Sequence, residues 1–127
     1  MFLLLDSNFT LARSSISNHA LMDSNSIELL RTEAKIIDCD FSNMTATSGK
    51  WLKQTLESRL EIENSRVAGL PSSPLLISIS SSVNIISSVL SSGFKGLVVN
   101  KGSLSIENST LTDFGNSQTL GGSLEII

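Results

Sequence analysis

Leu104-Ser105-Ile106-Glu107-Asn108-Ser109-Thr110-Leu111 is the stretch whose reading decides the fold, because close copies of it recur along the chain. Aligned on the last apolar residue, the copies are Phe2 to Phe9 (FLLLDSNF), Ala34 to Phe41 (AKIIDCDF), Leu60 to Val67 (LEIENSRV) and Val83 to Leu90 (VNIISSVL). The first column then holds Phe2, Ala34, Leu60, Val83 and Leu104, and the third holds Leu4, Ile36, Ile62, Ile85 and Ile106. The fifth holds Asp6, Asp38, Asn64, Ser87 and Asn108, and the sixth Ser7, Cys39, Ser65, Ser88 and Ser109. An apolar residue, from Phe9 to Leu111, closes each copy.

Apolar residues two apart are the signature of a strand with one buried face. Asp, Asn or Ser after such a pair marks a bend, because these side chains bond their own backbone and Asn tolerates a left-handed conformation. The unit is strand, tight bend, strand. A weaker apolar element precedes four of the copies, at 27–30, 52–56, 75–79 and 97–99, set off by turn residues such as Asn100-Lys101-Gly102. The aligned end residues step by 32, 26, 23 and 21 along the chain. About twenty residues with short strands and turns make one coil of a solenoid in which like residues stack at the roughly 4.8 Å strand spacing. The expectation is an all-β, parallel β-helix of about five coils, with Leu4, Ile36, Ile62, Ile85 and Ile106 as one interior file. Asp6, Asp38, Asn64, Ser87 and Asn108 form the expected ladder of side chains bonded along the stack. An antiparallel sandwich also gives alternation and frequent turns, but no reason for the same small polar residue at the same offset in each unit. Residues 51–60 also fit an amphipathic helix; their place between two coils favours a strand.

At 127 residues the chain is one domain at most, 1–127. It begins inside one repeat and stops inside the next strand, with no polar cap at either end, so the expectation is a segment of a longer solenoid or one whose ends another chain covers. Twenty-five Ser and 17% charged residues suit the outer face of an extracellular β protein. Nine basic residues scattered through a chain of net charge −3 give no stripe for phosphates, which argues against nucleic acid. No run reaches membrane-spanning length, and the start has neither the basic region nor the cleavage pattern of a signal peptide.

The chemistry on offer is sparse. No Gly-rich phosphate loop, Cys/His metal set or Ser nucleophile elbow occurs, so no cofactor, metal or catalytic residue is assigned. Asp38-Cys39-Asp40 is the one carboxylate cluster, either an acid–base pair or cation site, or a bend residue beside a solvent-facing one. Cys39 stands where other copies have Ser and reads as a small packed residue. His19 lies in a polar loop and reads as solvated. Asn8, Asn43 and Asn108 head N-x-T sequons and are candidate glycosylation acceptors.

The L-x-I-x-N-S-x-L unit resembles the right-handed parallel β-helix superfamily, the pectin-lyase-like fold shared by pectate lyases, polygalacturonases, phage tailspikes and surface adhesins. Asn64 and Asn108 look like the asparagine ladder of that fold. The paired-aspartate, Gly-His-Gly and Arg-x-Lys motifs of its carbohydrate-cleaving members are missing. Gly121-Gly122-Ser123-Leu124 is similar to the Gly-Gly-Ala-Ile repeats of polymorphic outer-membrane adhesins, without their Phe-x-x-Asn motif. The resemblance implies a non-enzymatic structural or adhesion module of an extracellular or cell-surface protein. Its partners would be stacked coils or subunits, a glycan, or a cell-surface molecule. A fragment of a polysaccharide lyase or hydrolase with its catalytic coils elsewhere, and a self-assembling filament subunit, are the alternatives. Fold alone does not fix the choice.

Overall fold

Short apolar-alternating strands joined by tight corners of two or three residues wind the chain into a parallel β-helix. The computed structural model describes residues 2–18, 20–21, 25–46, 50–70, 75–93, 96–114 and 124–126. The first rung runs through β1 (Phe2–Leu5), β2 (Asn8–Ala12), β3 (Ser15–Ser17) and β4 (Ala20–Leu21), and the second through β5 (Ile27–Leu30), β6 (Glu33–Ile37), β7 (Asp40–Ser42) and β8 (Thr45–Ala46). The third holds β9 (Leu52–Thr55), β10 (Arg59–Glu63) and β11 (Arg66–Leu70), and the fourth β12 (Leu76–Ile79), β13 (Ser82–Ile86) and β14 (Val89–Gly93). The fifth holds β15 (Leu97–Asn100), β16 (Ser103–Glu107) and β17 (Thr110–Phe114), after which β18 (Leu124–Ile126) begins another.

Strands in the same place on successive rungs pair in parallel. Sheet A is β1-β5-β9-β12-β15-β18, sheet B is β2-β6-β10-β13-β16, sheet C is β3-β7-β11-β14-β17, and β4 pairs β8. The five strands of sheets B and C are thus separated by about four turns. Residues 51–60 form strand, corner and strand, not helix.

Each corner is made by residues with positive φ: Asp6, Arg31, Leu56 with Glu57, Ser80 and Lys101 between sheets A and B, and Arg13, Asp38, Asn64, Ser87 and Asn108 between sheets B and C. One left-handed residue shifts the in-out alternation by one position. In the second rung the buried positions are therefore Ala34, Ile36, Cys39 and Phe41. The interior files follow. Leu11, Ile36, Ile62, Ile85 and Ile106 stand in register through sheet B, and Ile16, Phe41, Val67, Leu90 and Leu111 through sheet C; Ile106, expected in the core, keeps the register but is 38% exposed. Ile62, Ile85 and Leu90 have no exposed surface, and burying each such side chain contributes about 1.5–3 kcal/mol. Phe41 and Trp51 pack edge to face, centroids 5.2 Å apart. Gln54 and Ser78, in register in sheet A, are polar and fully buried; Gln54 Nε2 donates to Ser78 Oγ at 2.8 Å and to the Ser82 carbonyl at 3.0 Å.

The register corrects the first repeat. Leu4 does not belong to the Ile36 file: it lies in β1 of sheet A and pairs with Leu29, while Leu11 takes the place expected for it. Asp6 likewise forms the corner between sheets A and B, one corner before that of Asp38. The equivalent of AKIIDCDF is Phe9 to Ile16, not Phe2 to Phe9. The reason is physical: both corners of a rung need a left-handed residue and then a small polar one, so Leu5-Asp6-Ser7 and Ile37-Asp38-Cys39 look alike. With the register corrected, the sheet A strands from β1 to β15 are offset by 25, 25, 24 and 21 residues and β18 by a further 27, and the anomalous first step of 32 disappears.

Candidate functional site

The polar residues of this chain gather along the two lines of corners. Between sheets B and C the residue after each left-handed one turns inward: Cys39, Ser65 and Ser88 are buried, whereas Asp38, Asn64 and Ser87 are exposed. Each inward hydroxyl donates to the carbonyl two residues back, Ser65 to Glu63 and Ser88 to Ile86, both at 2.8 Å. It accepts the backbone N–H of the rung before. Cys39 N–H reaches Ser65 Oγ, Ser65 N–H reaches Ser88 Oγ, and Ser88 N–H reaches Ser109 Oγ, each at 3.0 Å. A hydroxyl suits this place because it donates and accepts at once, and a buried N–H without a partner costs about 1–3 kcal/mol.

A second hydroxyl ladder runs between sheets A and B. Thr32 N–H donates to Ser58 Oγ at 3.2 Å and Ser58 N–H to Ser81 Oγ at 3.1 Å. It stops at Gly102, where a Cβ would sit on the Ser81 carbonyl oxygen. The ladder expected of Asp38, Asn64, Ser87 and Asn108 is therefore displaced by one residue. Among those corner residues Asn64 Nδ2 donates along the stack to Asp38 Oδ1 at 2.6 Å, both side chains being exposed. Their common property is tolerance of positive φ. The serine column visible in the repeat was the signal for the true ladder, and Cys39 occupies it, its thiol 3.2 Å from the Ile37 carbonyl.

Two open grooves follow these corners. The one between sheets B and C, about 660 Å³, is lined by Arg13, Asp38, Asp40, Asn64 and Arg66 among others. Asp38 and Asp40 do share it. Asp40 stands opposite Ser15 and Arg66 in register, and its shielded Oδ1 has no partner among the described residues. Two guanidinium groups and two carboxylates thus share one groove. The other groove, about 560 Å³, holds Asp6, Arg31, Glu33, Glu57 and Arg59. Arg31 makes a two-pronged ion pair with Asp6, Nη2 to Oδ2 at 2.9 Å, and this hydrogen bond holds the Asp6 carboxyl below its ordinary pKa and raises that of Arg31.

No protein-family model matches this chain, and no curated protein or solved structure matches it. The site is therefore read from its own geometry.

Among the described residues no cluster of three or more His, Cys, Asp or Glu is placed to hold a metal ion, and no helix is long and apolar enough to cross a membrane. Asn8, Asn43 and Asn108 are all exposed, Asn43 and Asn108 at corners with positive φ and Asn8 at the start of β2. Nine Asn in a chain one-quarter Ser and Thr give about two sequons by chance, so three carry little weight. His19 and Gly121 to Ser123 lie outside the described residues.

Proposed function

We propose that the chain is a non-enzymatic β-helix module, a rigid spacer or adhesion surface of an extracellular or cell-surface protein or assembly, of the pectin-lyase-like kind its repeat resembles. The observation that carries this reading is the use made of the polar side chains. The hydroxyls of Thr32, Ser58, Ser65, Ser81 and Ser88 each bond a backbone group of the preceding rung as well as a carbonyl of their own. Four charges of the second rung, Glu28, Glu33, Lys35 and Asp40, stand opposite unlike charges on the third, Lys35 with Glu61 at 3.2 Å. Polar groups bound this way stiffen a rod and present a flat, regular surface.

Small-angle scattering and a polysaccharide-depolymerisation screen of the purified chain test the proposal together. A rod of constant cross-section with no sugar release is the expected outcome. Release of saccharide that Asp38→Asn with Asp40→Asn abolishes would instead make the groove between sheets B and C an active site.

A further inference from the structure

The outward face of sheet A carries a pattern that the shaft does not require. Two columns point out of it. One reads Leu3, Glu28, Lys53, Ile77 and Val98 from first rung to fifth, the other Leu5, Leu30, Thr55, Ile79 and Asn100. Leu3 is 60% exposed, Leu5 52% and Ile79 37%, so aliphatic surface lies open on both sides of a charged centre. In that centre Lys53 Nζ lies 3.4 Å from Glu28 Oε1, and Asn25 Nδ2 donates to Glu28 Oε2 at 3.3 Å.

We propose that this face is the interface of a two-fold symmetric dimer of the chain. A two-fold axis parallel to the strands, lying between β5 and β9, reverses the order of the rungs and keeps the position along each strand. It sets Leu3 over the second copy's Ile77, Leu5 over Ile79, Leu30 over Thr55, and Glu28 over Lys53. Each half of the face is the complement of the other, as an isologous contact requires. The two Glu28 and two Lys53 then alternate in sign around the axis. The other in-plane two-fold, along the shaft, would lay Glu28 over Leu30 and is disfavoured, because a charge would be desolvated against an aliphatic chain. The occupant is a second copy because the charge order at rungs two and three is self-complementary.

The face measures about 13 by 20 Å on strand geometry, less than the roughly 800 Å² per partner of a standard stable interface. The dimer is therefore weak and reversible, with the charged quartet setting its register more than its strength.

Sedimentation equilibrium over a concentration series, with far-UV circular dichroism to verify folding, tests this. A monomer–dimer equilibrium is expected. Lys53→Glu should weaken it about tenfold or more by placing four carboxylates at the axis, and adding Glu28→Lys should restore it. A second test is Leu3→Cys with Ile77→Cys. Within one chain these positions lie three strand spacings apart, about 14 Å, beyond the roughly 7 Å reach of a disulfide, so oxidation should give a covalent dimer. A monomer at every concentration, a dimer indifferent to Lys53→Glu, or open-ended growth would each overturn the proposal.

Discussion

Between the second and third rungs the outward positions carry Glu28 opposite Lys53, Glu33 opposite Arg59, Lys35 opposite Glu61 and Asp40 opposite Arg66. Residues 71–94, which include the fourth rung, carry no charge and ten serines. Both regions nevertheless have the same three strands, the same corners and the same interior file through Ile36, Ile62 and Ile85. The difference teaches that the fold resides in the inward residues and corners, and that the outer face is free to take either chemistry. In the charged region the register is written twice, inside and out. In the serine-rich region it is written only inside, so a slip along the strand meets no charge penalty there.

The interior file offers the largest break. Ile62→Ala and Ile85→Ala, one in each region, should each cost about 2–5 kcal/mol in chemical denaturation, and similar losses are expected because the file is shared. A much smaller loss at Ile85 would mean that the serine-rich rung is not packed as tightly as the charged one. Next come the hydroxyls. Ser65→Ala and Ser88→Ala each orphan a buried N–H of the preceding rung and should cost about 1–3 kcal/mol, while Cys39→Ser should leave stability nearly unchanged.

The corners sharpen the distinction between ladder and turn. Asn64→Val should cost about 1–2 kcal/mol because φ is 48° there, and Asn64→Gly should cost less. Equal losses in the two would show that the Asn64–Asp38 bond, not the conformation, matters at this position. The charges give the smallest effect. Removing the half-exposed Lys35–Glu61 pair by Lys35→Ala should cost about 0.2–1 kcal/mol, less at high salt. For acid, Arg31 depresses the folded pKa of Asp6. The stabilisation from that pair is therefore present above the ordinary carboxylate value of 3.8 and is lost as pH falls through the lower folded value. Hydrogen exchange on acidification should loosen the first two rungs before the fourth, which has no carboxylate to titrate.

Much of this was legible in the repeat. Alternating apolar residues announced the strands, and the small polar pair after them announced a corner. The weak elements at 27–30 and 97–99 fall in β5 and β15 of sheet A. Two features were not legible, for reasons of geometry. A rung has two corners of the same kind, so Asp6-Ser7 and Asp38-Cys39 cannot be told apart locally; the long first step is equally explained by a polar excursion at 17–25, and only the strand register resolves the alignment. Which member of an Asn-Ser pair faces inward depends on the phase shift made by the left-handed residue, so the repeat alone points to Asn64 where the ladder lies on Ser65. Asp38 and Asp40 line one groove, where the repeat leaves open whether they form a pair or are a bend residue beside a solvent-facing one; Arg66 shares the column of Asp40 in the repeat, whereas Arg13 reaches the groove from the first rung, whose alignment the repeat misses.

The stacking itself is tested most directly by spin labels at Lys35 and Ser105, outward positions of one column in sheet B, three rungs apart, on a Cys39→Ser background. Dipolar broadening should report a backbone separation of about 14 Å, three strand spacings. No broadening would contradict a single continuous stack of rungs.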